Sequence, residues 1–220
     1  MTTSQPTDPL AGLSDSLSAD YHASQSAQRD REVADLKKLI EAVPEQTEFT
    51  NSRRWKTLGP LFVLIAVVFL VMGLKNGSTG LAVFMLVLAL LFMLVTWQHR
   101  DSGQKPFMKL TRRQVIVDTL SAPVELVDVE DILVKDEGLI TLQKLTLRPG
   151  ANLPVHRARF QLFGNQAMAL KKPQPHIRIN SAGLMTGGRK IGYEEMAAIL
   201  NAYWQAAAAQ QQLDVLQRRG

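Results

Sequence analysis

Two long apolar blocks dominate the hydropathy pattern of the chain. Residues 58–74 and 81–97 contain no charged side chain, and only the short segment from Lys75 to Gly80 separates them. A helix that crosses a bilayer needs about 20 apolar residues, and each block comes close to that length. Each Leu, Ile, Phe or Val favours insertion by about 0.3–0.6 kcal/mol near mid-bilayer. The pattern therefore predicts a transmembrane helical hairpin. The first block begins more than fifty residues after Met1, so we expect it to remain as an anchor.

The charged residues that flank the blocks predict an orientation. Cations cluster before the first block and after the second, whereas the loop between the blocks holds only Lys75. By the positive-inside rule, both termini should face the cytoplasm. An aromatic residue at the outer edge of each block fits an interfacial belt on the same side. The predicted membrane-interface anchors are Arg53, Arg54, Trp55, Lys56, Trp97 and Arg100.

The residues before the hairpin predict a cytoplasmic arm, residues 1–50. The polar composition of residues 1–27 predicts disorder with a weak helical turn or two. Apolar residues at 33, 36, 40 and 43 then follow a helical spacing and predict a short helix over about 28–43, which Pro44 ends. We expect this amphipathic helix to rest on the C-terminal domain or the bilayer. The alternative is a coiled-coil stub that dimerises the chain, although two heptads are few for a coiled coil.

After the hairpin, which we place over residues 57–98, the pattern changes to short strands divided by turn residues. Candidate strands are 114–118, 124–127, 132–134, 139–142, 145–147, 159–162, 176–180 and 184–186. The absence of helical patterns between them predicts an antiparallel sheet or small barrel. A final helix is predicted over about 193–217, with Glu194 and Glu195 in its first turn. Its second half, residues 206–212, lacks a distinct apolar face and would project into solvent or meet a partner. The predicted fold class is membrane-anchored α+β, with a cytoplasmic domain over residues 105–220.

Three segments carry a resemblance to a known family. Residues Met108–Val117 are similar to the first strand after the anchor in the bacterial pleckstrin-homology-like membrane proteins. Residues Val124–Val134 are similar to the next strand and interval, and Tyr193–Tyr203 resembles the closing helix. The resemblance covers about residues 107–205, with Pro173 and Pro175 interrupting the expected run of strands. It implies a PH-like β barrel or sheet closed by a C-terminal helix, and a scaffold or lipid-proximal module without catalytic residues.

Sequence motifs for chemistry are sparse. The chain has no cysteine, which excludes disulfides, thiolate nucleophiles and cysteine-ligated zinc. Its histidines, at positions 22, 99, 156 and 176, lack the spacing of a metal-ligand set. No phosphate-binding or nucleophile motif occurs, and Gly187-Gly188 before Arg189-Lys190 fits a hairpin turn better than a phosphate cradle. We therefore expect no enzyme activity, cofactor or metal. Convergence of His156, Asp118 or Glu130 in a deep pocket would indicate otherwise.

The net charge of +5 lies unevenly along the chain, with the basic excess after the second apolar block. For a tethered domain, anionic lipid headgroups are a nearer partner than nucleic acid, which we do not expect to bind. The candidate lipid- or partner-binding residues are Lys171, Lys172, Arg178, Arg189 and Lys190. They would form one patch on a small barrel, or else a scattered solubilising surface.

These patterns together predict a function class. The expected protein is a non-enzymatic scaffold or adaptor in the bacterial inner membrane, whose domain binds a protein partner or the anionic membrane surface. The absence of ionisable residues within the blocks argues against a transporter. The alternatives are an immunity protein against a membrane-active toxin and an accessory subunit of a transport or secretion complex. A homodimer is a further alternative for the partner.

Overall fold

The computed structural model describes residues 9–138, 140–157 and 164–218. Among them the helices are α1 (Pro9–Glu41), α2 (Arg54–Lys75), α3 (Thr79–Gln98) and α4 (Tyr193–Arg218), with a 3₁₀ turn at Leu126–Asp128. The strands are β1 (Gln46–Asn51), β2 (Pro106–Thr111), β3 (Gln114–Val117), β4 (Val124–Glu125), β5 (Val129–Asp136), β6 (Thr141–Leu147), β7 (Gln166–Leu170), β8 (His176–Ser181), β9 (Leu184–Thr186) and β10 (Arg189–Ile191). The fold is α+β, with two long apolar helices, antiparallel sheets and a C-terminal helix, as predicted in general form.

The strands form two antiparallel sheets around one hydrophobic core. The first has six strands in the order β10-β9-β1-β2-β3-β4, and the second has four in the order β5-β6-β8-β7. Alternate residues of each sheet, such as Leu110, Leu145 and Ile177, are fully buried. Helix α4 adds Met196, Leu200 and other buried side chains to the same core. The Trp204 indole nitrogen donates a hydrogen bond to the Val129 carbonyl, which fixes α4 against β5.

Strand β1 lies in the middle of the six-stranded sheet, although it precedes the apolar helices in the chain. It pairs with β2 on one side and with β9 on the other. Its Phe49 is completely buried in the main core. The predicted division into an N-terminal arm and a separate C-terminal domain is therefore wrong at β1. The sequence signal was weak because β1 contains a single large apolar residue and its neighbours are distant in the chain.

Helices α2 and α3 are an insertion between two neighbouring strands. β1 and β2 pair antiparallel, with Thr50 opposite Pro106, so the segment between them leaves and returns at the same end of the sheet. We call this the junction end. The first residue after β1, Ser52, donates its backbone N–H to the Gly183 carbonyl at 3.2 Å. The helix pair is therefore attached through two paired strands rather than through a loose linker.

The helix pair itself is long and apolar enough to cross a membrane, over Lys56–Lys75 and Thr79–Gln98. Small residues line the contact between the helices, where Ala66, Ala82 and Ala89 are buried. The Phe62 and Phe92 rings stack with their centroids 5.2 Å apart. The remaining faces are different, because many large apolar side chains there stay about half exposed to the surroundings. The small residues therefore lie in the contact between the two helices, and the large apolar side chains lie on their outer surfaces.

Helix α1 packs on the second half of α4. Leu36 and Ile40 of α1 form a buried cluster with Ala209 and Leu213 of α4. The Arg29 guanidinium donates to the Leu216 carbonyl at 2.6 Å in the same contact. The apolar stripe of α1 thus rests on the C-terminal domain, one of the two surfaces predicted for it. It packs on the second half of α4, which was predicted to project into solvent or meet a partner. The chain is helical from the first described residue, Pro9, so the prediction of a short helix over about 28–43 is wrong, as is the prediction of disorder for residues 9–27.

Several strands differ from their predicted limits. The predicted strands 139–142 and 145–147 are one continuous strand, β6, whose Gln143 and Lys144 interrupt the apolar pattern. The segment Met108–Val117, compared above with one strand, is the β2–β3 hairpin. The short strands β7 and β10 are missing from the prediction, because β10 has a single apolar residue and β7 consists of residues without a preference for strands, such as Ala167 and Ala169. The predicted strand 159–162 lies outside the described residues.

The insertion predicts that the hairpin can be removed without loss of the domain. Replacing residues 52–105 by a turn of about four residues should give a soluble, folded chain, because such loops join neighbouring antiparallel strands. Residues 105–220 alone should fail to fold, since they lack the central strand β1 and its buried Phe49. Cooperative thermal unfolding, followed by circular dichroism, measures both. Equal folding of the two chains would contradict the role of β1.

The close helix contact predicts a specific sensitivity at Gly59. A Cβ there would lie 2.2 Å from the Thr96 Oγ1, which already donates to the Phe92 carbonyl at 2.7 Å. Gly59→Ala should destabilise the helix pair by about 1–3 kcal/mol through overpacking. Adding Thr96→Gly should restore stability. The matched control is Gly80→Ala, where no atom lies within 4 Å. Thermal unfolding in detergent measures the effect, and identical midpoints for Gly59→Ala and Gly80→Ala would contradict it.

Candidate functional site

The groups that could have indicated an enzyme do not converge. Asp118 lines a cavity at the junction end that neither His156 nor Glu130 lines. His156 is exposed and bridges to Leu120, and Glu130 is exposed on β5. Within the described ranges, no group of three His, Asp or Glu side chains is placed to hold a metal ion. His156, Asp118 and Glu130 therefore do not share a pocket in the part of the chain that the structure describes.

Asn165 ties the junction end together. It is 6% exposed, and its Oδ1 accepts a hydrogen bond from the Ala182 backbone N–H at 2.8 Å. That contact identifies the other amide atom as Nδ2, which donates to the Asn51 Oδ1 at 2.9 Å. Asn165 precedes β7, Ala182 follows β8 and Asn51 ends β1. One side chain therefore links the four-stranded sheet to the strand of the six-stranded sheet that leads into α2. Sequence analysis missed this residue, because a single Asn before a strand carries no distinguishing signal.

The predicted membrane-interface anchors lie together at the junction end. Arg53 precedes α2, and its side chain lies over Gly103, where an added Cβ would approach the Arg53 Nε to 2.5 Å. Arg54 faces a different neighbour, the larger of two cavities described below. Trp97 is 61% exposed, and the Arg100 guanidinium lies 5.2 Å from the centre of its ring. This distance is that of a cation–π contact. Lys56 is exposed, and the side chain of Trp55 lies outside the described part.

Two cavities flank Asn51 and Asn165 at the junction end. The larger, about 660 Å³, lies between the first turns of α2 and the strand ends of the four-stranded sheet. We call it the junction cavity, and its lining combines Arg54, Leu58 and Phe62 of α2 with polar groups of the domain. The smaller, about 390 Å³, lies beside Trp97 and is lined by charged residues of both signs. The two cavities therefore differ in chemistry although they share a wall.

The predicted basic cluster is divided between the two sheets. Arg178 lies on β8 of the four-stranded sheet, and Lys171 and Lys172 follow β7 at the end of that sheet farthest from the junction. Arg189 and Lys190 lie on β10 at the edge of the six-stranded sheet. Asn180, which lines the junction cavity, and His176, opposite Leu170, are four residues apart. They are about 14 Å apart along the strand. The five residues do not form one patch through strand pairing.

The β9–β10 connection is the hairpin turn that the sequence predicts. Gly187 and Gly188 form its two-residue loop, with Thr186 paired to Arg189. Both glycines have positive φ, +54° and +80°, as the tight turns of two-residue hairpins require. Arg189 makes an ion pair with Glu195 of α4. This cation is thus matched by a carboxylate and contributes to fixing the hairpin on α4.

The outer face of the four-stranded sheet carries a second, unmatched set of cations. Lys144 lies directly opposite Arg178 on the neighbouring strand, and Lys135 is the diagonal neighbour of Lys144. We call Lys135, Lys144 and Arg178 the basic sheet face. Like charges directly opposite each other on a sheet are destabilising. Among the described contacts no ion pair involves these cations, including with the diagonal Asp131. Sequence analysis missed Lys144 because only the pairing of β6 with β8 places it beside Arg178.

The six-stranded sheet shows the contrasting arrangement. There Lys109 lies opposite Glu48, and their Nζ and Oε1 atoms are 2.7 Å apart. The hydrogen bond from Lys109 holds the pKa of the Glu48 carboxyl below its usual range. In the six-stranded sheet, Lys109 therefore lies opposite a carboxylate. In the four-stranded sheet, Lys144 lies opposite a second cation, Arg178. The charge of the basic sheet face is a specific feature rather than a general property of the surface.

The Asn165 bridge predicts a loss of stability without a change of shape. Asn165→Asp keeps the acceptor for Ala182 but sets an oxygen against the Asn51 Oδ1, which should cost about 1–3 kcal/mol. The deficit should shrink on acidification, because a protonated carboxyl can donate to Asn51 again. The midpoint of thermal unfolding measures both effects. Asn152→Asp, on an exposed turn, is the matched control, and an equal response of the two variants would contradict the bridge.

Comparisons with known proteins provide no relative on which to base a function. No protein-family model, curated protein or solved structure matches this chain. The resemblance to the bacterial PH-like membrane proteins therefore stays a prediction from the sequence. The function has to be argued from the described residues themselves.

Proposed function

We propose that the chain is a two-span membrane protein that works as a non-enzymatic scaffold or adaptor. Its domain and both termini lie in the cytoplasm, and the basic sheet face docks an acidic segment of a partner protein. The observation that carries the proposal is the row across the four-stranded sheet, in which Leu133, Lys144, Arg178 and Met168 lie side by side. Two cations are flanked there by two apolar side chains on one face.

The exposure of α2 and α3 supports their place in a membrane. Only 17% of the residues in each span are buried within the protein, whereas a core helix of a soluble protein would be mostly buried. Leu64, Phe84 and Val87 are each at least 60% exposed. Exposing such side chains to water is unfavourable by about 25 cal/mol per Å² of apolar surface, and a bilayer removes that penalty. The cations at the junction end support a cytoplasmic location for the domain.

The arrangement of the domain supports a PH-like architecture as part of the proposal. Two antiparallel sheets enclose one core, and α4 packs across it with Met196, Leu200 and Tyr203 buried. In the resembled family the domain follows the membrane anchor in the chain. In this chain the two apolar helices would instead be inserted within the domain, between β1 and β2. A scaffold needs no catalytic group, and a rigid sheet surface suits it because a partner can bind without ordering loops.

A protein partner fits the basic sheet face better than the bilayer does. The central row of the face combines charge with apolar surface, because Leu133 and Met168 flank Lys144 and Arg178. Apolar side chains beside the cations, with Leu133 37% exposed, add the kind of surface that an amphipathic acidic segment covers.

The proposal predicts a variant that is more stable but does not bind. Lys144→Glu should replace a repulsive cross-strand pair by an attractive pair with Arg178, raising stability by about 0.2–1 kcal/mol. The same change should abolish docking of an acidic partner, because it reverses the charge at the centre of the face. Thermal unfolding of the full chain measures the first effect. Cross-linking and affinity purification from native membranes, followed by protein and lipid identification, measures the second.

A matched control separates docking from net charge. Lys37→Glu makes the same charge change at an exposed position of α1, and it should leave partner recovery intact. Equal recovery of the partner with Lys144→Glu would overturn the assignment of the face, as would recovery of anionic lipid alone. Exchanging the hairpin for an unrelated one should also preserve partner recovery. Loss of function on that exchange would instead support the toxin-immunity alternative.

A further inference from the structure

We propose that the junction cavity binds one anionic phospholipid, with its phosphate at Arg54 and an acyl chain along Leu58 and Phe62. This inference rests on the proposed membrane insertion of α2 and α3, because the bilayer supplies the lipid. It concerns a different surface from the basic sheet face. It also gives the domain a specific lipid contact in place of a general attraction to the membrane.

The spacing along α2 matches the order of groups in a phospholipid. Arg54 lies in the first turn of the helix, Leu58 one turn further and Phe62 two turns further, and all three line the cavity. With a rise of 1.5 Å per residue, Leu58 and Phe62 lie about 6 Å and 12 Å beyond Arg54 along the helix axis. A charged group at the interface followed by apolar surface at membrane depth is the arrangement that a phosphate and its acyl chain require.

The domain closes the cavity from the opposite side. Ile140, in the β5–β6 turn, faces it with a 41% exposed side chain, and Asn180 lines it from β8. The cavity volume of about 660 Å³ lies within the range of about 300–1,000 Å³ that is typical of small-molecule sites. It is large enough for a headgroup and the first part of a chain. Leu58 and Phe62 supply apolar surface from α2, and Asn165 and Asn180 supply amide groups from the domain.

The charges around the cavity select an anion. Arg54 makes no ion pair within the part of the chain that the structure describes, and the cavity lining contains no carboxylate there. The smaller cavity on the other side of Asn165 is lined by two carboxylates and two cations, so its charges balance and it offers an anion no net attraction. These residues are Asp101, Asp118, Arg100 and Lys105. A phosphate beside Arg54 gains a charge-assisted hydrogen bond, one of the stronger polar contacts in proteins. The inference therefore applies to the junction cavity and not to its neighbour.

Two adjacent arginines provide the test. Arg53 and Arg54 carry the same charge at the same helix end, but only Arg54 lines the junction cavity, because Arg53 lies over Gly103. The full chain, purified in a mild detergent, is mixed with phosphatidylglycerol or phosphatidylcholine of identical acyl chains. Native mass spectrometry then counts the lipids retained. The wild type should retain one phosphatidylglycerol in preference to phosphatidylcholine.

Arg54→Gln should lower phosphatidylglycerol retention about tenfold, the effect of removing one hydrogen bond between charged groups. Arg53→Gln should leave retention unchanged. Leu58→Trp should fill the cavity and reduce the retention of both lipids while keeping the arginine. Equal losses for Arg53→Gln and Arg54→Gln would overturn the proposal, since they would show a general surface attraction.

Membrane extraction separates this inference from the proposal on which it rests. Full-length chain that leaves the membrane fraction at alkaline pH would show that α2 and α3 do not span the bilayer, and the proposed function would then fail. Chain that stays in the membrane but shows no preference between the two lipids would overturn the lipid site alone. Chain that stays and shows the preference lost only in Arg54→Gln would support both.

Discussion

The pairing of β1 with β2 is the constraint on which the rest of the structure depends. These strands are neighbours in the sheet, yet more than fifty residues separate them in the chain, and the intervening residues form the two apolar helices. Because the two strands are antiparallel, β1 ends at the same end of the sheet at which β2 begins. Both helices must therefore attach at one end of the domain. The cations that flank the helices are brought together for the same reason. A single strand pairing thus sets the relation of the domain to the helix pair.

The attachment is reinforced by contacts that would be absent from a tethered domain. Asn165 joins the strand that leads into α2 to the four-stranded sheet through two hydrogen bonds. Ser52 and Gly183 join the same strand end to the β8–β9 turn. Fixing the domain in this way costs conformational entropy once, on folding, rather than at each binding event. A surface on the domain therefore keeps a constant orientation relative to the helix pair.

Charge is distributed differently on the two sheets. On the six-stranded sheet the cations Lys109 and Arg189 are matched by Glu48 and Glu195, and these pairs help to hold neighbouring elements together. On the four-stranded sheet, Lys144 and Arg178 oppose each other without an ion pair among the described residues. Two like charges held side by side reduce stability, and an anionic partner removes that penalty. We therefore assign the paired cations of the six-stranded sheet to stability and the unpaired cations of the four-stranded sheet to partner binding.

The sequence by itself determined the elements whose signals are local. The apolar blocks predicted the two long helices because length and composition suffice there, and the helical spacing from Tyr193 onward predicted the start of α4. Gly187-Gly188 gave a hairpin turn because few other residues tolerate that backbone. The stripe of α1 indicated a buried face, although not the surface on α4 that covers it.

Only the tertiary structure decided the features that join distant residues. β1 belongs to the domain because of partners that lie on both sides of it in space, and its own six residues carry one apolar side chain that needs burial. Lys144 becomes a neighbour of Arg178 through strand register, since a shift of one residue would turn its side chain to the core. Arg53 and Arg54 look equivalent in sequence, and they differ because Arg53 is the cap before α2 whereas Arg54 is the first residue of the helix, so their side chains have different neighbours. Local patterns specify elements, whereas register and the pairing of distant strands specify which side chains share a surface.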